Sequence, residues 1–418
     1  MIIRDGTTRS STSARPSERS VVLIWKQQDS GLYGQRVDQI ARAIRYADPD
    51  VTVRVVEFMN DSVRGDITSR SASFLADAAQ LLALADQKVS GNFVTVDGTE
   101  YHQLAVATDQ HAPAALTDFL WRHGHCPANT LILTFPAFPL LTQLARVISS
   151  FPMVADIVDN QLAWGNNKTR SNLIGQYAWL MKSSRQVVFN SADNMAYFRD
   201  AGFFNETAKD RVSIVPNWYM APAHRNLMRL AQPPVRNGIV DVIYSGNLND
   251  RIDWALLERL ARSSDKLRLH IAGDGSRMAD RIRAMMSMDN VVYYGPLSED
   301  RLSSLLARMH LAIMPHVTDD VSSFMNPLKV LMYSAHGLNT VAMAVPGLNE
   351  IDGLSVADDP MSFITEVHRM ATQAREGILN IPSKSAEGMP DFAQKYVDLV
   401  LNEVPILPTS ALKDQGAK

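Results

Sequence analysis

MNPLKVLMYSAHGLNTV, residues 325–341, decides how the chain is read. It parses as a loop, a helix and the start of a strand. Asn326 has the side chain of an N-cap, and Pro327 suits the first helical position, where no amide donor is needed. Gly337 fits the residue just past the helix, and His336 suits the negative end of its dipole. Lys329 then falls in the first turn, where unpaired amides already attract anions, so its ammonium strengthens a phosphate site. The plainer alternative is a buried connecting helix whose lysine faces water.

PLKVLMYSAHGLNTV resembles the PLK-x-x-E-Y-x-A-x-G-x-P-V-V segment of group 1-like glycosyltransferases built from two Rossmann-like domains, the GT-B architecture. In that family the lysine contacts the donor diphosphate and the acidic residue one turn later contacts the ribose. Met332 stands at the acidic position here, and Phe324 at the partner position of the E-x7-E pair of many retaining members. A thioether is a weak acceptor and cannot chelate a diol. The phosphate half of the motif is kept and the ribose half is not. Bacterial exopolysaccharide glycosyltransferases are the similar group; the xanthan glucuronosyltransferase also departs from the acid after its lysine.

At 418 residues, 46% hydrophobic and 20% charged, the chain has an ordinary globular composition. It exceeds the roughly 250–300 residues at which one core stops growing. A net charge of −3 argues against general nucleic-acid binding, and a single cysteine, Cys126, excludes an internal disulfide and suits a reducing cytoplasm. No apolar run is long enough to span a bilayer.

Residues 1–20 are polar and rich in Ser, Thr and Arg, and read as a disordered tail. Val21–Trp25 is a short apolar run fit for a buried parallel strand, followed by a glycine-bearing loop and an amphipathic helix carrying Val37, Ile40, Ala41 and Ile44. Gly31 and Gly34 do not make a dinucleotide fingerprint. The loop lies at the carboxyl end of its strand, where open α/β sheets bind ligands. The resemblance therefore makes Lys26, Gln27, Asp29 and Tyr33 candidate acceptor contacts. Strands are expected at 51–58, at 90–97 (strand or hairpin) and in 130–141, where a buried strand runs into a Pro-bent loop, and helices at 73–87 and 113–123. Phe135 and Phe138 flank a proline-bent loop as packing residues or sugar platforms. Asp156 and Asp159 bracket the end of a strand at 153–158. In the resembled family a D-x-x-D there borders the catalytic cleft, so Asp159, with Asp156 second, is the candidate base for an acceptor hydroxyl; helix capping or pairing with Lys168 or Arg170 is the structural alternative. The helix around Leu173–Met181 is flanked by Lys168, Arg170, Lys182 and Arg185, a pattern for core packing or for contact with an anionic membrane.

Residues 221–238 are Pro-rich and polar and divide the chain. The first domain runs over 21–225 and the second over 238–385, and a helix in 386–404 is placed to cross back. VDVIYSGNLNDRIDWALLERLA (240–261) restarts the strand–glycine loop–helix pattern. By resemblance Gly246 and Asn247 approach the donor phosphates, with Arg251 as a phosphate partner; YYGPL brings Tyr294, Pro296 and Leu297 to the base; and the loop of a strand within 311–320 brings His316 towards the phosphates. Asp319 and Asp320 alone make no metal site.

The expectation is an α/β protein with two Rossmann-like domains facing across a cleft. The implied activity is metal-independent glycosyl transfer, hexosyl or uronosyl, from a UDP- or GDP-linked sugar bound by Gly246, Asn247, Arg251, Tyr294, Pro296, His316, Asn326 and Lys329. The acceptor is a glycan or lipid-linked oligosaccharide in cell-surface glycan synthesis, at the cytoplasmic face of a membrane. No cofactor, metal or nucleic acid is expected. A sugar-nucleotide epimerase of the same fold and a non-catalytic nucleotide-binding scaffold are the alternatives, distinguishable by conversion without acceptor and by binding without transfer.

Overall fold

A computed structural model describes residues 19–25, 35–60, 89–90, 93–106, 108–136, 140–158, 160–164, 167–221, 232–318, 324, 326–345, 348, 351–382 and 389–405. The first sheet holds nine strands: β1 (Ser20–Ile24), β2 (Thr52–Asn60), β3 (Val89–Ser90), β4 (Phe93–Val96), β5 (Thr99–Val106), β6 (Thr130–Thr134), β7 (Met153–Ile157), β8 (Gln186–Phe189) and β9 (Val212–Ile214). Their order is β3-β4-β5-β2-β1-β6-β7-β8-β9. Only the β3–β4 and β4–β5 pairings are antiparallel, where a turn at Asp97–Gly98 returns the chain. Its helices are α1 (Arg36–Ala47), α2 (Ala112–Arg122), α3 (Leu141–Ile148), α4 (Asn167–Ser183) and α5 (Ala192–Asp200).

Alternation along β1 explains why this sheet is covered twice. Val22 and Ile24 pack with Leu116, Leu144, Tyr177 and Phe198 on one face. Val21 and Leu23 pack with Val37, Ile40 and Ile44 of α1 on the other. A strand with no polar face must be buried on both sides. The expected helix at 73–87 lies outside the described residues.

The second sheet holds β10 (Val240–Ser245), β11 (Leu267–Ala272), β12 (Val291–Tyr293), β13 (Leu311–Met314), β14 (Asn339–Met343) and β15 (Leu354–Ala357), all parallel, ordered β12-β11-β10-β13-β14-β15. Around it lie α6 (Trp254–Arg262), α7 (Ala279–Met286), α8 (Glu299–Leu306), α9 (Leu328–Ala335) and α10 (Pro360–Glu376). Counted from β10 this is the 3-2-1-4-5-6 order of a doubly wound sheet, whose ligands bind where the order reverses. That point lies between β10 and β13, whose carboxyl ends carry Gly246 and His316.

The last described helix, α11 (Asp391–Glu403), packs not on the second sheet but on α1, through Ala393, Tyr396, Val397 and Val400. The chain thus returns to its first domain.

Candidate active site

The site is built on the switch point of the second sheet. Gly246 follows β10 at φ 143°, and a side chain there would place its Cβ 2.9 Å from Lys329 Nζ. Gly273, after β11, is needed more severely: its Cβ would lie 1.7 Å from the Gly246 carbonyl oxygen. These two glycines let neighbouring loops close over the sheet edge. The 246–253 loop is pinned beside the loop after β13, because Asp253 N donates to Pro315 O at 2.8 Å and Val317 N donates to Arg251 O at 2.8 Å.

Lys329 enters from the first turn of α9. Its Nζ donates to Tyr244 Oη at 2.9 Å and lies 3.1 Å from His316 Nε2. It also sits 4.7 Å from the centroid of the Tyr244 ring, a cation–π contact. Tyr244 Oη and His316 Nε2 are 3.1 Å apart, which closes a triangle. Tyr333, one turn further along α9, accepts from Ser245 N at 2.7 Å and ties the helix to the end of β10.

The electrostatics are those of an anion site. Burial, then Arg251, lowers the Lys329 ammonium to about 7. Burial, then Lys329 and Arg251, lowers His316 to about 2, so its ring is neutral. A neutral ring that accepts at Nε2 carries its proton on Nδ1, which is buried and has no hydrogen-bond partner among the described residues. Burial raises Tyr244 far above the usual phenol range. Among the described residues, the charged groups that act on Lys329 and His316 are cations.

Several expectations are corrected. Asn326 is not the N-cap of α9; that position is Pro327, without a side-chain cap. The Asn326 amide is turned away: its Oδ1 accepts from Asn217 N at 2.9 Å, and its backbone oxygen accepts from Asn217 Nδ2. Asp156 is not poised as a base. It is fully buried, takes Arg36 Nε at 3.0 Å on both oxygens and accepts from Tyr396 Oη at 2.7 Å. The packing reading of Phe135, by contrast, holds: it is 2% exposed and meets Trp25 edge to face at 4.7 Å.

Met332 is buried with Tyr219, Leu305, Leu306 and Met309, so the position of the family's ribose acid is apolar core here. Tyr294 is 37% exposed, stacks on His270 with centroids 5.8 Å apart, and its hydroxyl lies 2.9 Å from His270 Nδ1. His270 is in turn held 2.9 Å from Asp241 Oδ1. Pro296 and Asn247 are exposed, and Arg251 is half-buried. Lys26, Gln27, Asp29, Tyr33 and Asp159, with Phe138, Asp319 and Asp320, lie outside the described residues. The structure thus brings Lys329, His316, Gly246 and Arg251 together and adds Tyr244, which the sequence reading missed. Its signal was present: Tyr244 stands two residues before Gly246.

Comparison with known proteins follows the same division. Residues 240–373 match the family described as glycosyl transferases group 1. TuaH of Bacillus subtilis (strain 168), whose assignment as a teichuronic acid biosynthesis glycosyltransferase is provisional, is 22% identical over 289 residues, which is 65% of this chain and 69% of that protein. Among solved structures, sucrose-phosphate synthase from Thermosynechococcus elongatus superposes with a TM-score of 0.56 at 15% identity, over 95% of this chain and 98% of that one. Anabaena HepE, in complex with UDP-glucose, gives 0.57 at 12% identity, over 93% and 96%. At such identities the structures speak for the fold. Residues 240–373 match a group 1 glycosyl transferase domain, and the chain as a whole has the GT-B fold.

Proposed function

We propose that the protein transfers a sugar from a UDP- or GDP-linked donor to a glycan or lipid-linked oligosaccharide in cell-surface glycan synthesis. The observation that carries this reading is the Lys329 ammonium, at a helix N-terminus and against Gly246, held by two neutral groups and beside a second cation. A donor diphosphate is the anion that such a pair of cations at a helix N-terminus would hold. In transfer the bond between the sugar's anomeric carbon and the terminal phosphate oxygen breaks, and the electron pair leaves with the diphosphate. Lys329, the amides opening α9 and Arg251 stabilise that developing charge. The acceptor hydroxyl attacks the anomeric carbon and gives up its proton to a carboxylate of the first domain. Burial and pairing rule out Asp156 for that step, so the proposed base is Asp159, two residues beyond the end of β7.

The kinship with a teichuronic acid enzyme supports a surface-polymer acceptor. We further propose a cytoplasmic, peripheral placement at the membrane. Arg170, Lys182 and Arg185 are exposed around α4, while Tyr177, Leu180 and Met181 of the same helix are buried in the core. Salt-sensitive sedimentation with anionic vesicles is the expected outcome. The reaction itself is tested by incubating the protein with radiolabelled sugar nucleotides and a membrane fraction, in the presence and absence of EDTA. Label should enter lipid-linked or polymeric material in both cases, and Asp159→Asn should slow transfer by about 10²–10⁴-fold. Label that stays on the nucleotide, or is epimerised without acceptor, overturns the proposal.

A further inference from the structure

The first domain touches the lead-in to α9 at several points. Phe324 meets Tyr197 of α5 edge to face at 5.4 Å, and its carbonyl oxygen lies 3.5 Å from Asn190 Nδ2. Two residues on, Asn326 and Asn217 form the reciprocal clamp described above. Asn217 belongs to the segment that follows β9, so this clamp joins residues 109 positions apart, one on each side of the interdomain linker.

Asn217 is itself held from behind. Arg36 Nη1 donates to Asn217 Oδ1 at 2.8 Å, and Arg36 Nη2 donates to Val215 O at 3.1 Å. The guanidinium is 4% exposed and lies 5.3 Å from the Trp218 ring centroid and 5.5 Å from that of Tyr396. Its Nε is bound by Asp156, which Tyr396 of the returning α11 also holds. The Asn217 amide can present its oxygen only to Arg36 and its nitrogen only to Asn326, since an arginine donates and never accepts. Asp156 thus fixes Arg36, Arg36 fixes the amide of Asn217, and that amide fixes Asn326, three residues before Lys329. Every link is a hydrogen bond of ordinary or short length between buried or half-buried groups, where such networks reinforce one another.

We propose that Asn217 is a positioning residue for the donor diphosphate: the relay Asp156–Arg36–Asn217–Asn326 lets the first domain set where α9 begins and so where Lys329 stands. This rests on the reading of Lys329 as the diphosphate contact. The relay also explains why Asn326 is not spent on capping α9, since its side chain answers the other domain. The acceptor-side domain thereby takes part in holding a donor bound mainly by the second.

Asn217→Asp tests it with almost no change in shape. Aspartate still accepts from Arg36 but cannot donate to the Asn326 carbonyl oxygen. Wild type, Asn217→Asp, Lys329→Ala and the double variant are titrated calorimetrically with UDP, GDP, ADP and dTDP, and thermal melting is recorded for each. The nucleotide that wild type binds most tightly should bind Asn217→Asp about three- to tenfold more weakly, the loss of one to two hydrogen bonds. The same substitution in the Lys329→Ala background should cost less than twofold, because the contact it positions is gone. Donor KM should rise while acceptor KM stays unchanged. Asn326→Ala removes the other half of the clamp, the bond from Asn217 N to Asn326 Oδ1, and should weaken the same nucleotide by a similar factor. Equal losses in both backgrounds, or an unchanged affinity in Asn217→Asp, overturn the relay while leaving Lys329 as the contact. If Lys329→Ala binds as wild type does, or wild type binds none of the four, the underlying reading fails and takes the relay with it.

Discussion

Replacing Asp156 by asparagine separates a structural anion from a catalytic one. The pair is almost sealed: Arg36 and Asp156 side chains are 4% and 0% exposed. Removing one partner of a buried ion pair costs about 3–5 kcal/mol, because the other charge stays desolvated without compensation. Arg36 keeps Val215 O, Asn217 Oδ1 and two aromatic faces, and asparagine keeps one acceptor oxygen, so the low end, about 3 kcal/mol, is expected. For a domain of this size, each kcal/mol lowers the melting temperature by about 2–4 °C, which gives a fall of roughly 6–12 °C. Calorimetric or circular-dichroism melting measures it, and transfer is assayed well below the transition. A base at this position would show the opposite pattern, with a 10²–10⁴-fold loss in rate and little loss in stability. An Asp156→Asn protein that melts within a degree or two of wild type but has lost its activity refutes the structural assignment. Arg36→Met combined with Asp156→Asn should recover part of the lost stability, since no buried charge is then left without its partner.

Diphosphate affinity should depend on pH through Lys329. Its free-protein value of about 7 rises once an anion is bound, so the ammonium is complete below pH 7 and must be formed by proton uptake above it. Between pH 7 and 9 the affinity should therefore fall by up to about tenfold per unit, and binding enthalpies should vary with the ionisation enthalpy of the buffer; a flat profile without proton uptake contradicts this. Gly273→Ala should destabilise the second domain by at least about 2–3 kcal/mol, since its φ of 145° and a Cβ 1.7 Å from the Gly246 oxygen force the backbone to move. A denaturation midpoint equal to that of wild type would show that the two loops do not approach as described.

The alternation of strand and helix was legible because it is local. VVLIW became β1, and the 240–245 run became β10. Gly337 takes the left-handed conformation just past α9, as expected of it. Lys329 was picked out by its place in the first turn of a helix and Gly246 by resemblance, and the structure places the two side by side. Asn326 and Asp156 were misread for one shared reason. Each satisfies a local rule, capping or a strand-end carboxylate, but each is claimed by a residue more than 100 positions away. Local hydrogen-bonding preference yields when a distant partner is buried against it, and no spacing in the sequence announces Arg36 or Asn217. Tyr244 was missed because a tyrosine inside an apolar strand reads as core, which it is, apart from its hydroxyl.

The central claim is that the donor diphosphate rests on Lys329 at the switch point of the second sheet. Calorimetric titration of wild type and Lys329→Ala with a nucleoside diphosphate, and in parallel with the same nucleoside lacking its phosphates, addresses it most directly. Loss of a charge-assisted contact of about 1.5–3 kcal/mol should weaken the diphosphate roughly 10- to 100-fold and leave the nucleoside unchanged. Equal diphosphate affinity in the two proteins would contradict the claim.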